Sequence, residues 1–384
     1  MNIKITKWLL SQNTFKFNII NRNHILFSIH YMVQKKKILI TWGLGYSGSH
    51  TATVFIENWY DVIIVDNLSN SHESTIDWIK LITWKTPKFY ELDLRNYSDL
   101  DAVFEKHASD IALVIHFAAK KAVWESCQDP FLYYDHNILG TINLLKVMNK
   151  YHVNQIIFSS SATVYDAENL LPPFSETDRT KTTNPYWTTK LVIENLLRDM
   201  VMQKWFSAIA LRYFNPIGAH PSHILWENPK WVPTNLLPFL LKVAKWEIEK
   251  LSVFGNDYDT EDWTCIRDYI HVMDVAEAHY SAAKYLFDRV EINETSEMYT
   301  ADPTFEICNI WTWYWKSVAE MIWIVETIVD KEIPYEIVAR RPWDVAVSLA
   351  NPLKAKQLLN WEAKRTVVEW VEDARLYLNN EKRK

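Results

Sequence analysis

The chain has 384 residues, 48% of them hydrophobic, and a formal net charge of −6. It can therefore bury the core of one large or two closely joined globular domains, and it offers no basic field for nucleic acid. Its three cysteines, Cys127, Cys265 and Cys308, are too few and too widely spaced for a disulfide framework or a zinc cluster, so they read as reduced thiols of a cytoplasmic protein with no metal site.

Residues 1–31 scatter Lys, Asn, Gln and Arg among apolar residues, which leaves neither a membrane span nor a signal-peptide core. Met32 stands directly before VQKKKILIT and is read as the true start, with 1–31 as a non-native or disordered extension. Lys37–Thr41 then reads as a buried strand, and Gly43, Gly45 and Gly48 follow at GxGxxG spacing ahead of a helix. That is the dinucleotide fingerprint, in which glycines permit the tight turn and let backbone approach a pyrophosphate at the helix N-terminus. Asp66 closes the next strand, DVIIVD, about twenty residues on, where a carboxylate accepts from ribose hydroxyls and disfavours the extra phosphate of NADP. NAD is the expected cofactor.

The apolar runs KFYELDL, ALVIHFAA, QIIFSSS and SAIALRYFN follow, separated by helical periodicity over 98–107, 129–151 and 185–204. Strands alternating with helices give an α/β fold with a doubly wound, Rossmann-type parallel sheet and ligands at the strand carboxyl ends, where Gly45, Asp66, Asp93, Ala118, Ser161 and Asn215 fall. After Asn215 the pattern turns irregular and rich in Pro, Asn and His. The expected division is a cofactor-binding domain over 32–215, to which 263–298 returns, and a smaller C-terminal substrate-binding region over 216–262 and 299–384. NNEKRK is read as a frayed tail.

NPYWTTK places Tyr186 and Lys190 four apart on one helix face. A lysine there would lower the phenol's pKa and let Tyr186 exchange a proton near neutral pH. Ser161, ending FSSS, is placed to hydrogen-bond the same hydroxyl.

With these residues, the chain resembles the extended short-chain dehydrogenase/reductase family and, within it, the UDP-glucose 4-epimerases. DNLSNS, VIHFAAKKAV, YYDHNILGT, FSSSATVY, LRYFNPIGAHPS, LSVFGNDYDTEDWTCIRDYIHVMD and RRPWDVAVSLANPLKA carry the likeness over Lys36 to about Arg375. Related dehydratases have an Asp-Glu pair after the serine-rich strand, where this chain has Ala162 and Thr163. The resemblance implies catalytic roles for Ser161, Tyr186 and Lys190. It implies cofactor contacts from Gly43, Gly45, Tyr46, Ser47, Gly48, Asp66, Asn67, Asn70, Asp93, Leu94, Phe117, Ala118, Ala119, Lys121, Asn137, Tyr186, Lys190, Tyr213 and Phe214; Ser47 stands where isoleucine is usual. It implies that Ser161, Asn215, Asn235, Leu236, Ser252, Phe254, Arg267, Arg341, Asp344 and Ser348 hold the UDP-hexose, arginine forks suiting a diphosphate.

The implied reaction takes the proton of the C4 hydroxyl onto Tyr186 and the C4 hydride onto tightly held NAD, turns the 4-keto sugar over and returns both to the other face. A homodimer joined through helices is also implied. In family members restricted to glucose and galactose a tyrosine narrows the pocket at the position of Ser348. The small residue here implies turnover of the N-acetylated sugars too.

The chain has 6 glycines and 19 tryptophans, against a usual glycine share of about 7%. At Trp42, Trp59, Trp124, Trp187, Trp263, Trp311, Trp313, Trp315 and Trp343 the family pattern has glycine, and Trp84, Trp205, Trp226, Trp231 and Trp246 fit the same substitution, whereas Trp361 matches a family tryptophan. One codon, written here as Trp and decoded as Gly, accounts for a single repeated replacement. Two other readings stay open: a non-catalytic carbohydrate-binding relative in which WTWYW is an aromatic platform, and another NAD-dependent nucleotide-sugar enzyme such as a decarboxylase.

Overall fold

The computed structural model describes residues 37–203, 206–230, 235–289, 291–292, 299–300, 303–341 and 344–380. Met32 and the segment before it, and Trp205, Trp231 and Trp343, lie outside the described residues.

The apolar runs become strands of one parallel sheet: β1 (Lys37–Thr41), β2 (Asp61–Asp66), β3 (Lys88–Glu91), β4 (Ile111–His116), β5 (Gln155–Ser161), β6 (Ser207–Tyr213) and, at the edge, β10 (Phe305–Asn309). Their order is β10-β6-β5-β4-β1-β2-β3. Every pairing is parallel. Both faces are covered, which is why IALVIH and QIIFSSS are buried at every residue rather than alternating.

Side chains on successive strand residues point to opposite faces. Ile38, Ile40, Val62, Ile64, Leu113 and Ile115 pack beneath α1 (Tyr46–Glu57) and α7 (Val272–Asp288). Leu39, Ile63, Val65, Val114, Ile156 and Phe158 pack beneath α3 (Tyr97–His107), α4 (Gly140–Lys150) and α5 (Pro185–Met202). Outside these layers, α2 (Thr75–Thr83) precedes β3. The chain's order reverses between β1 and β4, so a crevice opens at their carboxyl ends, beside the glycine loop.

A second layer holds β7 (Asn215–Ile217), β9 (Ile266–His271), β11 (Trp315–Ser317) and β13 (Val347–Ser348), with β9 pairing to all three others. β8 (Leu251–Phe254) pairs in parallel with β12 (Tyr335–Val338). A third apolar cluster joins α6 (Leu236–Ala244), α8 (Val318–Val329) and α10 (Val367–Asn380). The short α9 (Leu353–Leu359) sends Ala355 and Leu359 into the first cluster.

Two segments differ from the sequence reading. Of 263–298, α7 packs on the main sheet but β9 belongs to the second layer. Residues 305–309, read as part of the second region, add the seventh strand to the main sheet by pairing with β6. Five residues lying so far along the chain from β6 carry no local signal of which sheet they join. Among the described residues no helix is long and apolar enough to cross a membrane.

Candidate active site

The glycine loop is shaped by close packing. A Cβ on Gly48 would lie 2.4 Å from the Trp42 carbonyl oxygen and 2.8 Å from the Gly43 Cα, and one on Gly43 would lie 2.9 Å from Ile64. Only hydrogen at those positions lets α1 begin this close to β1, with Gly45 as its N-cap and Tyr46, Ser47 and Gly48 in its first turn. The Gly45 amide closes the turn onto the Trp42 carbonyl at 3.2 Å and the first intrahelical bond is from Ser49, so the amides of Tyr46, Ser47 and Gly48 form a cradle suited to a pyrophosphate. Trp42 sits in the loop at φ 53° and packs against the apolar clusters on both sides of the sheet.

Asp66, buried at the end of β2, accepts from the Leu44 amide at 3.1 Å, the Leu68 amide at 2.9 Å and the Ser71 hydroxyl at 2.8 Å. Burial pushes its carboxyl above the ordinary range, against those three bonds. Asn67 donates to Asp93 at 3.0 Å. Burial pushes Asp93 upward, but the Arg95 guanidinium and amide outweigh it and hold the carboxyl well below its usual value. Asn70 accepts from the Lys230 amide at 3.1 Å, and Leu94 is buried against α4 at Gly140.

A buried polar ladder runs under the crevice. Thr41 Oγ1 meets His116 Nδ1 at 2.9 Å, His116 Nε2 meets Thr141 Oγ1 at 2.8 Å, and the Thr141 hydroxyl donates to the Asn137 carbonyl at 2.5 Å. Asn137 then donates to the Lys120 carbonyl at 3.1 Å and Thr189 Oγ1 at 3.0 Å. The Ala118 amide donates to Thr41 Oγ1 at 3.2 Å, which fixes Phe117, Ala118 and Ala119 at the end of β4. This ladder joins the glycine-loop strand to α5.

Asn184 caps α5 by accepting from the Trp187 amide at 3.0 Å, with Pro185 at the first helical position. Tyr186 is therefore in the first turn, half-buried, and Lys190 lies one turn on, fully buried. Lys190 Nζ donates to the Ser159 carbonyl at 2.8 Å and lies 4.9 Å over the Phe158 ring. Burial pulls its pKa down to about 7, against the pull of Glu194. Burial also pushes the Tyr186 phenol up, with Tyr213 adding to the shift. Desolvation is the largest influence on both groups, acting against the charged form of each and so opposing the expected lowering of the phenol's pKa by Lys190.

Ser161 Oγ accepts from the Thr163 hydroxyl at 2.9 Å and the Thr163 amide at 3.3 Å, which leaves its own proton to donate. Tyr213 meets Ser159 Oγ at 2.5 Å and Ser47. Tyr46 donates to the Gly218 carbonyl at 2.6 Å, and Phe214 stacks on Trp311 at 6.5 Å.

The proposed UDP-holding residues gather in the second layer. Arg341 Nε donates to Asp344 Oδ2 at 2.7 Å, and Arg267 Nη2 lies 3.5 Å from Asp344 Oδ1, so one carboxylate orients both forks. Arg341 lies 4.6 Å over the Phe254 ring, Ser252 lies two residues earlier on β8, and Ser348 on β13 is in register with Arg267 on β9. Asn215 opens β7, directly after the strand that ends at Tyr213. Asn235 caps α6 ahead of Leu236, and its side chain donates to both oxygens of Glu227, at 2.9 and 3.0 Å.

Sequence reasoning missed Glu227. This nearly buried carboxylate also takes Lys121 Nζ at 3.2 Å, so it links a residue of the cofactor set to one of the substrate set. It missed Glu194 as well, although the residues 186, 190 and 194 share a helix face. Among the described residues, no cluster of His, Cys, Asp and Glu could hold a metal ion.

The family described as GDP-mannose 4,6 dehydratase matches residues 39–374. UDP-glucose 4-epimerase of Bacillus subtilis is 44% identical over 338 residues, which is 88% of this chain and 95% of that protein. The crystal structure of UDP-glucose-4-epimerase from Stenotrophomonas maltophila with bound NAD and formylated UDP-arabinopyranose superposes with a TM-score of 0.83 at 38% identity, covering 91% of this chain and 99% of that one. The Bifidobacterium longum enzyme in complex with NAD+ and UDP does so with a TM-score of 0.82 at 39% identity, covering 90% and 99%.

Proposed function

The chain belongs to the family of UDP-glucose 4-epimerases, and we propose that it inverts C4 of UDP-glucose and UDP-galactose, with NAD as a retained cofactor. One observation carries the reading. Tyr186 and the buried Lys190 stand on one face of α5, and Lys190 is tied through Ser159 and Tyr213 to Ser47 of the glycine-loop turn, in which a Cβ on Gly48 would meet backbone at 2.4 Å. That cradle and the buried Asp66 fit a dinucleotide. Gly43, Gly45, Gly48 and Asp66 would hold it, with Asn67, Asp93 and Asn137 behind them. When bound, NAD supplies the acceptor and donor of the C4 hydride and, oxidised, a second positive charge near the phenol.

Tyr186 holds or takes the proton of the C4 hydroxyl, and Ser161 has a free proton to direct at the same oxygen. Lys190, fixed to the Ser159 carbonyl, keeps positive charge against the phenol when it ionises. Arg267 and Arg341 bind the diphosphate away from the reacting carbon, which leaves the sugar free to present either face. The reaction is redox-neutral overall. Ala162 and Thr163 supply no carboxylate after β5, which supports epimerisation over dehydration. Replacing Tyr186 with Phe is expected to abolish conversion of UDP-galactose while UDP binding persists; undiminished turnover overturns the reading.

Ser348, nearly buried and in register with Arg267, supports acceptance of UDP-N-acetylglucosamine and UDP-N-acetylgalactosamine, since a small side chain leaves room for the acetamido group. Ser348→Tyr should stop turnover of those sugars and spare UDP-galactose; equal loss of both refutes the gate. Exposed Phe131, Tyr134 and Leu139 along the helical stretch before α4 support a homodimer joined through helices, which the mass in solution tests. The free thiols of Cys127, Cys265 and Cys308 support a cytoplasmic setting.

A further inference from the structure

Ten residues other than glycine hold a positive φ among those described, and five of them are tryptophan: Trp42 at 53°, Trp59 at 70°, Trp84 at 58°, Trp246 at 63° and Trp263 at 67°. Asn, Asp and His visit this region with some ease, but a bulky side chain there is an outlier, because its Cβ crowds a carbonyl oxygen. Five coincidences of one residue type at unrelated places in the fold need a common cause.

The places are those where the backbone calls for glycine. After α1, the Trp59 amide donates to the Ile56 carbonyl and the Tyr60 amide to the Phe55 carbonyl, both at 3.0 Å. After α6, the Trp246 amide donates to Val243 at 2.9 Å and the Glu247 amide to Lys242 at 3.0 Å. Both are the paired bonds of a Schellman close, with tryptophan at the left-handed position that glycine ordinarily fills. Trp84 closes α2 by a single bond to the Lys80 carbonyl at 2.8 Å, the simpler left-handed close. Trp263 turns the chain between Thr260 and β9, its amide on the Thr260 carbonyl at 3.3 Å. Trp42 makes the turn whose carbonyl α1 packs against.

The side chains contribute little in return. Trp59, Trp84, Trp246 and Trp263 are 85%, 90%, 71% and 63% exposed. Trp361 and Trp370 show the opposite behaviour: they are 4% and 0% exposed, and their indole N–H groups donate to the Asp274 carbonyl at 3.2 Å and the Arg365 carbonyl at 3.0 Å. Tryptophan's own chemistry, large apolar area with one donor to satisfy, is used at 361 and 370. At the four exposed left-handed sites only the backbone is used, while at 42 the ring rests against the two apolar clusters but the left-handed turn is still glycine's.

We propose that the protein made in its own cell carries glycine at 42, 59, 84, 246 and 263, through a codon that is written as tryptophan here and decoded there as glycine. The loop after β1 then gains a further glycine beside Gly43. Trp226 and Trp311, which the sequence alone groups with glycine sites, are seated like core residues: Trp226 stacks on Tyr377 at 5.8 Å, and Trp311 donates to the Arg212 carbonyl at 3.1 Å. Trp124, Trp187, Trp313 and Trp315 occupy backbone open to any residue. The proposal rests on the five alone and is independent of the activity assigned above.

The test is peptide mass spectrometry of the protein purified from its source cells, reading the five sites together with 361 and 370. The expected result is glycine at all five and tryptophan at both others. Tryptophan at any of the five overturns the single decoding. Recombinant protein gives a second readout. Replacing Trp59, Trp84, Trp246 and Trp263 with Gly should raise the melting midpoint, by roughly 5–10 °C, whereas Trp361→Gly should lower it. A fall at the four sites like that at 361 contradicts the proposal.

Discussion

The Glu194→Gln variant perturbs a charge pair that lies directly behind the proposed catalytic pair. Glu194 is fully buried and accepts from Arg212 Nε at 2.9 Å, Arg212 Nη2 at 2.6 Å and the Ser160 hydroxyl at 2.5 Å. Arg212 is 1% exposed, its Nη1 already lacks a partner, and its other neighbour is the Tyr165 ring at 4.7 Å. Neutralising Glu194 strands that guanidinium in the core, for which breaking a buried pair costs about 3–5 kcal/mol. That is a large part of a typical stability of about 5–15 kcal/mol. Urea titration should show the midpoint fall with the slope unchanged. Replacing both partners with Met should recover most of the loss, since no uncompensated charge remains. A loss below about 1 kcal/mol in the single variant, or a double variant worse than the single, refutes the reasoning. A catalytic signature should accompany it. Burial draws Lys190 to about 7 while Glu194 opposes, so Glu194→Gln should move the alkaline limb of the kcat profile to lower pH, with Tyr186, Tyr213 and His116 the other titratable groups facing this site.

Two further outcomes follow from the same geometry. His50 and His116 are held near about 3, and His220 and His279 near about 4, all chiefly by burial. With folded values below the unfolded 6.5, these groups take up protons on unfolding as the pH falls from about 6.5 toward 4. Stability should therefore fall there by up to about 5 kcal/mol per pH unit for four such groups, offset in part by Asp66 and Asp268, whose carboxyls burial raises; acid-insensitive unfolding midpoints over that window would count against the buried neutral imidazoles. Gly48→Ala would set a methyl 2.4 Å from the residue 42 carbonyl, so retained NAD, measured after gel filtration, should be lost; full retention would contradict the close-packed cradle.

The parts of this molecule that were legible in the sequence are those with a short-range signal. IALVIH and QIIFSSS announce strands covered on both faces, and the spacing of Gly43, Gly45, Gly48 and Asp66 places a cradle and a carboxylate on consecutive elements. Tyr186 and Lys190 are one helical turn apart whatever surrounds them. The Arg267–Asp344–Arg341 cluster was reachable only through resemblance, because Arg267 meets the segment that carries Arg341 and Asp344 from far away in the chain. Glu227 stands in an irregular segment with no period, and nothing local says that it will bridge Lys121 and Asn235. Arg212 meets Glu194 only once α5 lies against β6. The upward push of burial on the phenol was not legible for a related reason: spacing reports which charge is near, whereas desolvation depends on everything packed around it.

The central claim is that a hydride leaves C4 and returns to the same carbon from the other side. UDP-galactose deuterated at C4, incubated with the protein from its source cells without added NAD, tests it directly. The account predicts UDP-glucose that keeps the deuterium at C4, with no NADH released; deuterium lost to solvent or to free NADH, or no conversion, contradicts it.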